Sequence, residues 1–69
     1  MTITESQIDK MLRHFMKNGW LSATEEVEIR EHFNERREEG RLDIFEIEAV
    51  VDIEYQICSL DTAMTVMGL

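Results

Sequence analysis

The chain has 69 residues, a formal net charge of −8 and a single cysteine. A chain of this length forms one domain and buries only about 60% of its extended-chain surface, so small folds often add disulfides, a metal or a second subunit. The lone Cys58 excludes an internal disulfide, and His14 and His32 do not have the spacing of a zinc site. Oligomerisation is therefore the expected source of additional burial.

The negative charge is concentrated in the C-terminal part of the sequence. Residues 1–20 carry a net charge of +1, residues 21–42 carry −3, and residues 43–69, which contain no lysine or arginine, carry −6. Such a field repels phosphates and attracts basic protein surfaces, so we expect protein partners and no nucleic acid. Because neither a signal peptide nor a membrane-spanning apolar run is recognisable, we predict a cytoplasmic protein without membrane contact.

Two glycine-containing segments of similar sequence predict where the helices end and begin. Residues 19–25 and 40–46 each place a glycine, suited to a left-handed helix C-cap, three residues before a serine or aspartate N-cap. A glutamate three residues later completes a capping box in both, and Thr4 with Gln7 offers another. The predicted fold is all-α, a single domain over residues 1–69 with three helices at about residues 5–18, 23–39 and 44–67.

The first two predicted helices differ in their apolar content. The first has an uninterrupted apolar stripe at helical spacing, formed by Ile8, Met11, Leu12, Phe15 and Met16. The second has only Val27, Ile29 and Phe33 among many glutamates and arginines. We therefore expect the second helix to be stabilised by docking onto the rest of the protein.

The third predicted helix carries apolar residues at heptad-like spacings of 3, 4, 3, 4 and 3. Its short neighbours offer too little apolar surface to cover this series, so we predict a homodimer, either intertwined or packed helix against helix. The predicted dimer interface consists of Val50, Ile53, Ile57, Leu60, Met64 and Met67. Alternatively, the series is monomer core, residues 49–53 form a strand, or a cap at Ser59 or Asp61 divides the helix.

The sequence contains no recognisable arrangement for catalysis, cofactor binding or metal binding. Both glycine segments resemble half of a calcium-binding EF-hand loop, but Met16 and Arg37 occupy positions that require oxygen ligands. The helix–turn–helix arrangement also occurs in DNA-reading proteins, yet here its helices are acidic. Since neither histidine is accompanied by a serine or cysteine placed as a nucleophile, we predict a protein that is not an enzyme.

Binding to another protein is the function that these features favour. Tryptophan, tyrosine and arginine are enriched at binding hot spots, and the acids of the second helix are suited to a basic partner. A solvated helix face is the alternative interpretation of the same acids. The predicted partner-binding residues are Trp20, Glu28, Glu31, Glu35, Arg36, Glu38, Glu39 and Tyr55.

The chain resembles the small early proteins with which bacteriophages inhibit host machinery, in particular the anti-quorum-sensing proteins of Pseudomonas phages. The similarity is in length, acidity, helical make-up and the turns Gly-Trp-Leu-Ser-Ala-Thr-Glu and Gly-Arg-Leu-Asp-Ile-Phe-Glu. This resemblance implies a helical dimer that binds LasR, a LuxR-type transcription activator, and blocks its DNA binding. It also implies inhibition of PilB, the ATPase that drives type IV pilus assembly.

Two other functions fit the same residues. An anti-CRISPR or other DNA-mimic protein would use the acids to block a nuclease complex. A structural or assembly adaptor would instead pack its sparse second helix into a larger complex. The identity of a partner captured from a host lysate separates these alternatives from the transcription-factor inhibitor.

Overall fold

The computed structural model describes residues 2–69, which fold into four helical segments without a strand. Helix α1 spans Glu5–Lys17 and α2 spans Ala23–Glu38. Helix α3 spans Ile44–Glu48 and continues directly as a π-helical segment over Ala49–Glu54, and α4 spans Leu60–Met67. The all-α prediction is confirmed, whereas the predicted count of three helices is wrong. No helix within residues 2–69 is long and apolar enough to cross a membrane.

The predicted capping boxes at the starts of α1 and α2 are both present. The backbone N–H of Thr4 donates to Gln7 Oε1 at 2.9 Å, and Gln7 N–H donates back to Thr4 Oγ1 at 3.1 Å. Ser22 and Glu25 form the same reciprocal pair at 3.0 and 3.2 Å. These bonds satisfy amide groups that a helix start otherwise leaves unpaired, which is why both boundaries are recognisable in the sequence.

The third capping site forms only in part, because its glutamate has another partner. Asp43 accepts a hydrogen bond from the Glu46 N–H at 2.9 Å, as predicted. The Glu46 carboxylate, however, lies 2.6 Å from His32 Nε2 and 3.7 Å from Arg36 Nε, both on α2. Glu46 therefore connects α3 to α2 across the turn that begins at Gly40.

The predicted continuous helix over residues 44–67 is wrong, because the chain leaves the helical path between Tyr55 and Ser59. Tyr55 N–H donates to the carbonyl of Val50, five residues back, which is the hydrogen bond of a π-helix. Gln56 then adopts φ +54°, and Ser59 starts α4 by accepting from the Thr62 N–H at 3.3 Å. The sequence had offered this cap as an alternative.

The break changes what the heptad-like series does. Helix α4 returns onto α1 and α3, so Met67 at its end and Val50 at the start of the π segment are both buried in the core of the single chain. Ile53 is exposed, and Ile57, Leu60 and Met64 are partly buried. The six residues do not form one stripe on one helix, and the predicted continuous dimer seam is corrected accordingly.

The core lies between α1, α2, the α3–π segment and α4. Its members are all apolar, so none of their side chains carries a polar group out of water. The buried side chains are Ile3, Ile8, Met11, Leu12, Phe15, Leu21, Ile29, Phe33, Ile47, Val50, Val51, Ala63 and Met67. Met16 is 39% exposed, so the apolar stripe predicted for α1 is one residue narrower than expected.

Candidate protein interaction surfaces

The most exposed large apolar side chains lie on α3 and its π-helical continuation. Phe45 is 70% exposed and Ile53 is 67% exposed, while Ala49 is exposed between them. Spacings of four residues place these three on one side of the helix, and Ile47 and Val51 are buried on the other side. This leaves a short apolar stripe in solvent.

Carboxylates border this stripe. Glu48 and Asp52 follow Phe45 and Ala49 by three residues, which places them along the same side of the helix. Within residues 2–69, neither Glu48 nor Asp52 forms an ion pair. We call Phe45, Glu48, Ala49, Asp52 and Ile53 the acidic face. Its combination of exposed apolar groups and unneutralised carboxylates is suited to a surface that is both basic and apolar.

A small cavity lies beside the π segment and contains two of the predicted partner-binding residues. The Tyr55 hydroxyl donates to Glu28 Oε2 at 3.2 Å, and the cavity of about 240 Å³ also has Ile29 and His32 in its wall. Burial raises the pKa of Tyr55, and the hydrogen bond to Glu28 raises it further. The structure therefore brings Glu28 and Tyr55 together, although they lie 27 residues apart in the sequence.

The other predicted acids of α2 divide into two groups. Glu31, Glu35 and Glu38 are exposed and form no ion pair within the described residues 2–69. Glu39 accepts a hydrogen bond from Arg36 Nη1 at 3.4 Å, and the same guanidinium lies near Glu46. Arg36 is thus engaged in holding α2 to α3, whereas the three exposed glutamates are available to a partner.

A second set of charges connects α1 to α2. Arg30 Nη1 donates to Asp9 Oδ1 at 3.0 Å, and Arg30 Nε also pairs with Glu26. Arg13 Nε lies 2.8 Å from the second oxygen of Asp9. The hydrogen bond from Arg30, followed by the charge of Arg13, holds the pKa of Asp9 below its usual value even though partial burial opposes this shift.

Sequence reasoning missed a groove between α1 and α4. It has a volume of about 410 Å³ and is lined by Lys10, Arg13, His14, Lys17, Thr65 and Val66, which we call the basic groove. The Trp20 ring, 42% exposed, packs edge-on against the ring of His14 with centroids 5.5 Å apart. The spacing of Lys10, Arg13 and Lys17 was visible in the sequence, but the wall supplied by α4 was not, because it depends on the break after the π segment.

The single cysteine and the possible metal ligands were also placed by the fold. Cys58 is partly buried, and burial raises the pKa of its thiol, which disfavours the reactive thiolate. Across residues 2–69 no group of three or more histidine, cysteine, aspartate or glutamate side chains is placed to hold a metal ion. The acidic face, the basic groove and the exposed glutamates of α2 are open to another molecule.

Comparison of the chain with protein families, with curated proteins and with solved structures finds no match.

Proposed function

We propose that this chain is a protein inhibitor whose acidic face occupies a basic and partly apolar surface of a target protein. The observation that carries this proposal is the exposure of Phe45 and Ile53, at 70% and 67%, beside the unpaired Glu48 and Asp52. A small protein gains nothing in folding from apolar side chains left in water, whereas a partner that covers them gains their transfer free energy. The carboxylates then favour basic partners and exclude acidic ones.

A DNA-binding regulator is the class of target that this surface fits best. Its DNA-contacting surface is basic because it neutralises phosphates, and an acidic protein seated there prevents DNA from binding. The resemblance to phage anti-quorum-sensing proteins suggests the LuxR-type activator LasR as the regulator. The same resemblance suggests the pilus ATPase PilB as a second target.

Self-association is a separate part of the proposal. Fewer residues support it than the sequence predicted, because Val50 and Met67 are buried in the core of the single chain. Ile57, Leu60 and Met64 remain partly exposed, and together with Ile53 they are the members of the predicted interface available to a second copy. A dimer that used Ile53 would compete with the partner for the acidic face. Measuring the molar mass of wild type and of Leu60→Asp by light scattering tests this: a dimer that Leu60→Asp dissociates supports the interface, and a wild-type monomer rejects it.

A DNA-displacement assay tests the inhibitor function directly. LasR bound to its promoter DNA is titrated with wild-type protein, with Phe45→Ala or with Ile53→Ala, and the bound DNA is measured by fluorescence anisotropy. Val27→Ala is the matched control, because Val27 is 51% exposed on α2 and lies outside the acidic face. We expect wild type and Val27→Ala to release the DNA, and each acidic-face variant to be at least about tenfold weaker, as for a binding hot spot.

Failure with LasR does not by itself reject the broader function. If LasR keeps its DNA at saturating protein, LasR is not the target. The same four proteins are then used to capture partners from a host lysate. A nuclease complex captured by wild type and lost in Phe45→Ala would favour the DNA-mimic alternative. Equal capture by all variants would reject the acidic face as the binding surface.

A further inference from the structure

We propose that the basic groove between α1 and α4 binds a short acidic peptide segment of a second protein, at a site separate from the acidic face. The groove bears three cationic side chains on a protein whose net charge is −8. A local positive region of this kind on an otherwise negative surface attracts a negatively charged segment short enough to stay within it.

The cations are arranged along a line. Lys10, Arg13 and Lys17 follow one side of α1 and, at 1.5 Å per residue, span about 10 Å of helix axis. Neither lysine forms an ion pair within residues 2–69, and Arg13, though paired with Asp9, has a side chain that is 79% exposed. A linear array suits several carboxylates spaced along a peptide better than it suits one compact anion.

The groove also offers apolar and aromatic surface. Val66 from α4 forms part of its wall, and the alkyl stems of the lysines add apolar surface below their charged ends. His14 carries the partly exposed Trp20 against its ring at one side of the groove. The groove is shallow and open, with a volume of about 410 Å³, so an apolar side chain of a bound segment can lie along Val66.

Other anions fit the groove less well. A long nucleic acid would extend beyond it onto a surface whose remaining charge is strongly negative, which costs binding free energy. Inorganic phosphate would gain charge contacts but would leave the apolar wall in water. A short segment with carboxylates around one leucine or phenylalanine satisfies both the charges and the wall.

The two surfaces would then select partners of opposite charge. The acidic face lies on the α3–π segment, and the basic groove lies between α1 and α4, so the two surfaces share no residue. One molecule of this chain can therefore hold a basic protein and an acidic segment together.

A peptide titration tests the groove without requiring the natural partner. The probe is a fluorescein-labelled synthetic peptide with glutamates on both sides of a central leucine, and its glutamine analogue is the uncharged control. Binding is followed by anisotropy and by the fluorescence of Trp20, which is the sole tryptophan and touches the groove residue His14. We expect saturable binding of the acidic peptide that weakens with salt, and at least tenfold weaker binding of the analogue.

Charge reversals locate the site. Lys10→Glu and Lys17→Glu should each weaken peptide binding about fivefold. Arg41→Glu makes the same charge change at an exposed residue between α2 and α3, outside the groove, and should leave binding near wild type. Phe45→Ala should keep full peptide binding, so loss of the inhibitor function and loss of the groove function are measured independently. Thermal unfolding of each variant confirms that it is folded.

Several outcomes would overturn the assignment. Equal weakening by Lys17→Glu and Arg41→Glu would mean that only net charge matters. Displacement of the peptide by millimolar inorganic phosphate, or tighter binding of an oligothymidine probe, would assign the groove to a different anion. A wild-type dimer at low salt that Lys17→Glu converts to a monomer would make a second copy of this chain the occupant.

Discussion

The acidic face and the basic groove differ in how much tertiary structure is needed to build them. The cations of the groove lie on α1, a regular helix whose start is fixed by the Thr4–Gln7 capping box. The apolar stripe of the acidic face runs from α3 into a π-helical segment. Helical spacing alone places the cations of the groove, whereas the exposure of Phe45 and Ile53 depends on which side of the α3–π segment packs against the core. Local sequence signals therefore specify the cationic side of the groove, but neither its α4 wall nor the exposure of the acidic face.

The largest expected effect distinguishes the buried Phe15 of α1, the helix that carries the groove's cations, from Phe45 on the acidic face. Phe15 lies on the buried side of α1 and is fully buried, whereas Phe45 is 70% exposed. We expect Phe15→Ala to lower the free energy of unfolding by about 3–5 kcal/mol, and Phe45→Ala to change it by less than about 0.5 kcal/mol. Urea denaturation measures both. A similar loss in the two variants would mean that Phe45 is packed, and the acidic face would no longer be an open surface.

The break between the π segment and α4 determines whether substitutions at Ser59 and Gln56 stabilise or destabilise the protein. Because the Ser59 hydroxyl caps α4, Ser59→Ala should lower the free energy of unfolding by about 1 kcal/mol. In a continuous helix the same change would be neutral or stabilising, since alanine is the better helix former. Gln56→Gly should instead raise the free energy of unfolding, because Gln56 has a positive φ that glycine adopts without strain. Stabilisation by Ser59→Ala together with destabilisation by Gln56→Gly would contradict the break.

A smaller, pH-dependent effect is expected at the ion pairs behind the basic groove. Hydrogen bonding to Arg30 holds the pKa of Asp9 below its usual value of 3.8, so ionised Asp9 stabilises the fold. Its contribution is complete above that usual value and is lost as pH falls through the lowered value. Asp9→Asn should therefore lower Tm at pH 7, and the difference should disappear in strong acid. A Tm difference that is independent of pH would mean that the Asp9 charge does not matter.

The smallest effect concerns the hydrogen bond between Tyr55 and Glu28 in the cavity beside the π segment. Burial and the Glu28 hydrogen bond both raise the pKa of Tyr55, so Glu28→Gln should lower that pKa without returning it to 10.0, because burial remains. Ultraviolet absorbance during an alkaline titration measures it, and Glu31→Gln is a matched control on the same helix. An unchanged Tyr55 pKa in Glu28→Gln would mean that the bond between α2 and the π segment is not formed in solution.

Local chemistry explains which parts of the fold were predictable. The starts of α1 and α2 and the left-handed Gly19 and Gly40 follow from capping residues that act within a few positions of one another. The spacing of apolar residues from Val50 to Met67 predicted one continuous helix, but the residues belong to two segments whose apolar positions happen to follow the same heptad-like spacing. The π segment contains no glycine or proline that would predict it. The burial of Val50 and Val51 depends on packing within the tertiary structure, so the local sequence does not predict it.

Prediction of the surfaces was similarly uneven. The carboxylates of the acidic face lie in the strongly acidic residues 43–69, but the predicted partner-binding residues, most of them on α2, did not include Phe45. Phe45 is the most exposed large apolar side chain of residues 2–69. Exposure of this kind depends on which side of α3 faces the core. The basic groove was missed for the related reason that its second wall comes from α4. The roles of Trp20 and of Glu31, Glu35 and Glu38 in partner binding stay predictions.

Affinity capture with single-residue variants tests the central claim most directly. Wild type, Phe45→Ala and Val27→Ala, immobilised at equal density, are exposed to the same host lysate, and retained proteins are quantified by mass spectrometry. We predict a basic partner that wild type and Val27→Ala retain equally and that Phe45→Ala loses by about tenfold or more. Retention of the same partner by Phe45→Ala at the wild-type level would contradict the assignment of the acidic face as the binding surface.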